Sequence, residues 1–328
     1  MLRACFYKKR RLILMLILSF FVIAAGFTVG EDAYAAGVYQ APFQIDFIDV
    51  GQGDSALVQC DGHYMLVDGG NSDKSNLIYS YLKARNISYL DVIVATHGDA
   101  DHVGGLSGAL NYATVGIAYC SVTDFDSNAF RSFVEYLGNQ GKSITVPKAG
   151  DSFMLGTATV TVVGPRTVSA SGANNSSIML RIQYGNTSFL LAGDAEYEEE
   201  MSVLNSGQPL QSTVLKVAHH GSDGSTGDGF LRAVSPQYAV ISVGRNNQYG
   251  SPSGAVLGRL LNAGVKTYRT DMQGDVICAS DGNTVMFSVR KNADADTLAG
   301  AGSGQNAGSM GQNTVGVVNI AGQLLLKQ

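Results

Sequence analysis

The feature that most narrows what this chain can fold into is a succession of short apolar runs, each of strand length and each closed by Gly, Asp or His. "FQIDFIDV", "SALVQC", "HYMLVD" and "YLDVIVATH" come first, from Phe43 onward. Their Val, Ile, Phe and Tyr content marks strands, and the tight Gly and Asp joints make the first three a meander. A second set follows: "ATVTVVG", "SIMLRIQYG", "TSFLLAGDA" and "STVLKVAHHG", then "YAVISVG", "VKTYRT", "DVICAS" and "TVMFSVR". Apolar residues recur at helical spacing over 72–85, 102–112 and 127–139, and further helices are expected near 196–204, 227–234 and 253–263. Strands this continuously apolar need cover on both faces, and a hydrophobic content of 45% over 328 residues supplies it. The pattern predicts a mixed α/β fold over 41–291, two mixed sheets enclosed by helices as an αββα sandwich.

Three of these strands end in chemistry. "DVIVAT" runs into "HGDADHVGG", which places His97, Asp99, Asp101 and His102 within six positions, and "TVLKVA" runs into His219-His220. "FLLAG" ends at Asp194. These motifs hold four of the five histidines in the chain. A lone His or Asp in such a place is ordinarily a helix cap or a hydrogen-bond partner. Several carboxylates gathered beside imidazoles, with no basic partner in the motif, call for a cation. A divalent metal site built from His97, Asp99, Asp101, His102, Asp194 and His220 is therefore expected. Asp54, in the Gly-rich joint "DVGQGDS", either supports a ligand from behind or bonds to its own turn. Ser222 and Ser225 are candidate phosphate contacts, with helix capping the favoured alternative for Ser225, Arg269 meets an anion or pairs with Asp271, and His63 is structural or exposed.

The motifs also carry a resemblance. "HGDADH" resembles the H-x-H-x-D-H pattern of the metallo-β-lactamase superfamily, with Asp99 replacing its second His. "FIDVGQGDS", "MLVDGG", "THGDADHVGG", "NNSSIMLRI", "LLAGDAE", "LKVAHHGS" and "RTDMQGDV" resemble, in order, the extracellular metallo-hydrolase domain of ComEC-type DNA-uptake proteins. The likeness covers about Phe43 to Val289 and omits those proteins' membrane channel. It implies an αββα metallo-β-lactamase sandwich holding one or two divalent ions, Zn or Mn. His97 and Asp99 would hold one ion; Asp101, His102 and one of His219 or His220, with His220 favoured, would hold the other, with Asp194 between them. His219 would be a proton donor or phosphate contact. The implied reaction is phosphodiester hydrolysis by a metal-activated hydroxide, with Asp101 and His219 as the catalytic pair. Two departures stand out. The family's third-motif His has no counterpart, leaving Asn174 and Asn175 as weak amide-oxygen ligands, and Ser251 in "QYGSPSG" replaces a His. The first ion site is thus richer in oxygen, which favours Mn.

Outside this region the chain carries an address. Lys8, Lys9, Arg10 and Arg11 precede an apolar run through residues 12–30, and Ala33-Tyr34-Ala35 follows. That is a signal-peptide pattern over 1–35, and the same run left uncleaved is a membrane anchor. Either way the hydrolase domain is expected outside the cell or on the outer face of the cytoplasmic membrane. Residues 292–312 read as a Gly, Ala and Ser linker and 313–328 as a short tail. Cys60, Cys120 and Cys278 leave an odd count beyond the leader, so no disulfide framework is expected. With 22 basic against 27 acidic residues, no phosphate-backbone track announces itself. Three functions follow: a secreted nuclease or phosphodiesterase on extracellular, single-stranded DNA; a hydrolase of another phosphoester such as cell-wall phosphocholine; or a metal-poor binding domain.

Overall fold

The computed structural model describes residues 41–166 and 173–302. The leader with its apolar run, the end of the 292–312 segment and the 313–328 tail lie outside the described residues. Among the described residues no helix is long and apolar enough to cross a membrane.

The meander is formed by β1 (Phe43–Phe47), β2 (Ala56–Cys60) and β3 (His63–Val67), all antiparallel. Helix α1 (Ser75–Ala84) then crosses to β4 (Tyr89–Ala95), which lies parallel to β3. Two short helices, α2 (Ala100–Val103) and α3 (Leu106–Tyr112), replace the single expected helix. The break falls at Gly104-Gly105, where Gly105 lies so close to Gly69 O that a side chain would clash. Next comes β5 (Thr114–Cys120), which the sequence pattern did not announce, then α4 (Asn128–Asn139) and β6 (Ile144–Thr145). Ser127 caps α4 by accepting from Phe130 N at 3.1 Å.

The second sheet begins with β7 (Ser152–Leu155), β8 (Ala158–Gly164), β9 (Met179–Tyr184) and β10 (Thr187–Leu191), an antiparallel run. After α5 (Tyr197–Asn205), β11 (Val214–Lys216) pairs parallel to β10; α6 (Asp228–Val234) leads to β12 (Tyr238–Ile241), and α7 (Gly254–Asn262) to β13 (Lys266–Arg269). The chain then returns through α8 (Thr270–Gln273) to the first sheet, where β14 (Val276–Ser280) pairs with β1 and β15 (Val285–Val289) forms the edge. The sheet orders are β15-β14-β1-β2-β3-β4-β5-β6 and β13-β12-β11-β10-β9-β8-β7.

Alternation along the strands assigns the layers. Phe43, Ile45, Phe47, Val92 and Val94 meet Val160, Leu180, Ile182 and Phe189 in a core between the sheets. Leu57, Leu66 and Ile93 point the other way, onto Ile78, Leu82, Phe130 and Phe133 of α1 and α4. Leu190, Leu215 and Ile241 do the same against Val203, Phe230 and Leu260 of α5, α6 and α7. Each such fully buried side chain contributes about 1.5–3 kcal/mol, and the outcome is the expected αββα sandwich. Packing continues past Lys291, where the linker was expected to begin. Thr297 donates to Thr267 O at 2.7 Å, and Leu298 and Ala301 rest on the outer cluster.

Candidate metal centre

The site lies where parallel strands of both sheets run out at their carboxyl ends. β4 delivers Thr96 and His97, and the turn into α2 delivers Asp99, Asp101 and His102. β10 delivers Asp194, and β11 delivers His219 and His220. The last two residues adopt left-handed backbone (φ 47° and 54°), which costs a non-glycine residue about 1 kcal/mol or more each. The turn is held from several sides. His219 N donates to Gly193 O at 3.0 Å, and Ser225 Oγ donates to Ala218 O at 2.9 Å. On the opposite wall the "GQGD" loop presses onto Asp101, with Asp54 N donating to Asp101 O at 3.1 Å. Gly53 permits this approach, because a Cβ there would lie 2.4 Å from Asp101 O at a φ of 137°.

Three imidazoles converge, with ring centroids 4.2 Å apart for His97 and His102 and 5.4 Å for His102 and His220. In each, Nδ1 is committed outward. His102 Nδ1 donates to Asp68 Oδ2 at 2.9 Å, and His220 Nδ1 donates to the Ser242 carbonyl at 3.0 Å. Thr96 Oγ1 gives its own proton to Asp68 at 2.8 Å and so accepts from His97 Nδ1 at 3.1 Å. Each bond fixes the neutral tautomer that leaves the Nε2 lone pair facing inward. All three Nε2 atoms are buried without a hydrogen-bond partner, as is Asp194 Oδ1. The other carboxylate oxygen, Asp194 Oδ2, lies 3.2 Å from His102 Nε2 and 3.4 Å from His220 Nε2. Buried polar atoms are seldom left unpaired, and here four of them belong to neighbouring ligand-capable side chains. The donor set of imidazole nitrogen and carboxylate oxygen fits a divalent metal. Ligand atoms of His97, His102 and Asp194, and those of Asp101, His102 and His220, lie within 4.8 Å of one another.

Charge at the site follows the same geometry. Burial disfavours the imidazolium of His102 and of His220, but Asp194 together with Asp68 or Asp54 raises both well above the ordinary value. Asp194 is also opposed by burial, and His102 and His220 bring it well below its usual range. Protons and a metal would thus compete for the same Nε2 atoms. Beneath the ligands, Asp54 Oδ2 is paired with Lys216 Nζ at 2.8 Å, both side chains buried. Burial would raise Asp54, but Lys216 and then His220 override it and lower the carboxyl to about 2.

The expected residues take different places. Asp101 reaches His220 Nε2 at 3.4 Å. Asp99 stands at the rim, 40% exposed and 3.4 Å from His97 Nε2. His219 is also at the rim, 3.7 Å from Asp194 Oδ2 and with Nδ1 3.3 Å from Glu196 Oε1. Asn174 and Asn175, expected as weak ligands, are engaged elsewhere. Asn175 Oδ1 accepts from Glu196 N at 3.0 Å, and Asn174 Nδ2 donates to Glu196 Oε1 at 3.1 Å. Ser222 serves through its backbone, donating to His219 O at 2.8 Å. Ser225 is neither phosphate contact nor helix cap, because its hydroxyl bonds Ala218 O and Ser222 O inside the turn. Arg269 is paired in bidentate fashion with Asp271 at 3.0 and 2.8 Å. His63 pairs with Asp91 on the surface, and Ser251 bonds Asn247. The three described cysteines are free and buried. Asp68, Thr96 and Lys216 are the site residues the motifs did not single out. A signal for Asp68 existed, since an Asp before Gly-Gly is suited to the positive φ of 58° it adopts.

Comparison with known proteins agrees with this geometry. The family model described as "Metallo-beta-lactamase superfamily" matches residues 48–245. The chain is 30% identical over 264 residues to "ComE operon protein 3" of Bacillus subtilis, covering 75% of this chain and 34% of that protein. It is 31% identical to "Competence protein ComA" of Neisseria gonorrhoeae, covering 69% of this chain and 30% of that one. The chain therefore spans about a third of the length of these curated relatives. In fold it is similar to a variant of CmlA beta-hydroxylase, with a TM-score of 0.50 at 13% identity over 74% of this chain and 55% of that one. The match to the family model and the ligand-bearing strand ends lead to one assignment: this chain belongs to the metallo-beta-lactamase superfamily.

Proposed function

We propose that the chain is a metal-dependent phosphodiesterase that cuts single-stranded DNA on the outer side of the cytoplasmic membrane. The observation that carries the hydrolase reading is the set of buried, unpartnered atoms, His97, His102 and His220 Nε2 with Asp194 Oδ1, gathered in one cluster of ligand-capable side chains. A domain used only as a binding surface has no reason to bear the cost of leaving them unpaired. Asp101, His102 and His220 would hold one ion and His97 with Asp99 a second, with Asp194 beside both sets. Divalent ions there, Zn or Mn, would supply a water of lowered pKa and positive charge toward phosphoryl oxygens. Asp101, half-buried beside His220, is placed to accept a hydrogen bond from the attacking water. His219, at the open rim, is placed to touch a phosphoryl oxygen or to protonate the departing one. The DNA reading is supported by relatives named as competence proteins and by one named "Recombination protein 2" of Haemophilus influenzae. The outer location rests on the leader pattern at 1–35.

A second reading has its own observation. Asp99 and Glu196 border the opening, and the sequence carries a net charge of −5, so a compact or cationic phosphoester such as phosphocholine suits the rim better than a polyanion. The test is hydrolysis of bis-p-nitrophenyl phosphate, single-stranded DNA and p-nitrophenylphosphocholine with added Mn or Zn. Metal-dependent turnover that falls about a hundredfold or more in both Asp101→Ala and His220→Ala is expected. DNA cleavage outpacing the choline ester supports the first reading, and the reverse order supports the second. Metal uptake without turnover on any of them counts against both.

A further inference from the structure

Beneath the ligands lies a cavity lined by Asp54, Asp68, Thr96 and Lys216. Two buried carboxylates border it, and they are unequally satisfied: Asp68 is held by Thr96 and His102, whereas Asp54 has one oxygen on Lys216 and the other, Oδ1, without a hydrogen-bond partner. That free oxygen is 3.2 Å from His220 Nδ1, whose proton goes instead to Ser242 O. Ligand-capable atoms of Asp54, Asp194 and His220 lie within 4.8 Å of one another. Asp54 is thus a carboxylate that an ion at the centre could recruit in place of Asp101. Lys216 opposes this. Its ammonium is anchored by Asp54 Oδ2 at 2.8 Å and by Val217 O at 2.8 Å, on the strand that ends in His219-His220.

We infer that Lys216 is a positioning residue that clamps Asp54 away from the metal, so that Asp101, His102, His220 and Asp194 define the coordination. The inference rests on the metal-binding reading of the site and adds a determinant of ligand choice to it. A buried cation below the centre also offsets one of the carboxylates gathered there, which limits how many further anionic donors the ion can attract. Removal of the ammonium frees both Asp54 oxygens at a point where its neighbours already converge.

Visible absorption of Co(II) loaded into the full chain reads coordination directly, because band intensity and position follow ligand number and geometry. The spectrum of Asp54→Asn is expected to match that of the unaltered chain, since Asp54 is not a ligand while Lys216 holds it. Lys216→Met is expected to lose the original band and gain that of a more oxygen-rich centre. Combining Lys216→Met with Asp54→Asn is expected to restore the original spectrum, and Lys216→Arg to keep it. An altered spectrum in Asp54→Asn alone, or an unaltered one in folded Lys216→Met, overturns the inference. If Lys216→Met does not fold, Lys216→Gln, which removes the charge but keeps a donor, takes its place, and an unaltered spectrum in that folded variant likewise overturns the inference. Failure of the unaltered chain to take up Co(II) at all would instead remove the metal-binding reading.

Discussion

Asp68 shows how much a single residue that was not singled out within its motif contributes. It accepts from Thr96 N and Thr96 Oγ1 at 2.8 Å and from His102 Nδ1 at 2.9 Å, and so orients two of the imidazoles. Asp68→Asn is expected to weaken Zn or Mn binding about 10–100-fold, read by calorimetric titration, with the far-ultraviolet dichroism unchanged. Lys216→Met removes the partner of a buried carboxylate and is expected to cost about 3 kcal/mol or more of stability, read by urea unfolding; Asp54→Asn in the same chain should recover most of it. The ligand types were legible because His97, Asp101, His102, Asp194 and His220 sit directly after apolar strands. Asp68 and Lys216 were not. "VDGG" reads as a turn, and Lys216 inside "TVLKVA" reads as an outward position, until the second sheet is laid over the first. Asn174 and Asn175 are drawn toward Glu196 for a similar reason: Asn175 Oδ1 accepts from its N–H and Asn174 Nδ2 donates to its carboxylate, across 21 and 22 positions.

At the scale of elements, α5 and the turn before α6 are joined by Glu200, whose carboxylate accepts from Thr226 N and from Gly227 N at 2.9 Å. Burial raises Glu200 from 4.5 to about 7 even though both amides oppose the shift. Between those values the folded chain keeps a proton that the unfolded chain has released, so stability falls as pH rises through the window and stays lower above it. The change amounts to about 3 kcal/mol. Glu200→Gln is expected to flatten thermal stability between pH 4.5 and pH 7, measured as midpoint against pH. Ser127→Ala is expected to cost about 1 kcal/mol by uncapping α4. Most elements were legible from apolar spacing. β5 was not, because Gly116 interrupts its pattern; a side chain there would lie 2.5 Å from Asp91 O on the neighbouring strand. The split between α2 and α3 has a comparable origin in the contact of Gly105 with Gly69.

Across the whole molecule, the pairing of β14 with β1 was the least legible feature, since it joins Phe43 to Ser280 across most of the described chain. Apolar runs identify strands but not their distant neighbours. The candidate ligands divide in the same way between sheets: His97, Asp101 and His102 leave the first, Asp194 and His220 the second. An ion bound by both favours the folded state by linkage, about 2.7 kcal/mol at a hundredfold excess over its Kd. Added Zn or Mn is therefore expected to raise the melting temperature, chelation to reverse it, and Asp194→Ala to abolish the rise. The exposed connection at Lys148, between β6 and β7, gives this division a practical meaning. Cleavage there would yield two polypeptides, one bearing His97, Asp101 and His102 and the other Asp194, Lys216 and His220. Neither piece would own the whole set of candidate ligands, while the pairing of β14 with β1 and the core between the sheets would still hold the two together, so a nicked chain would keep its fold and its centre would depend on both pieces staying docked.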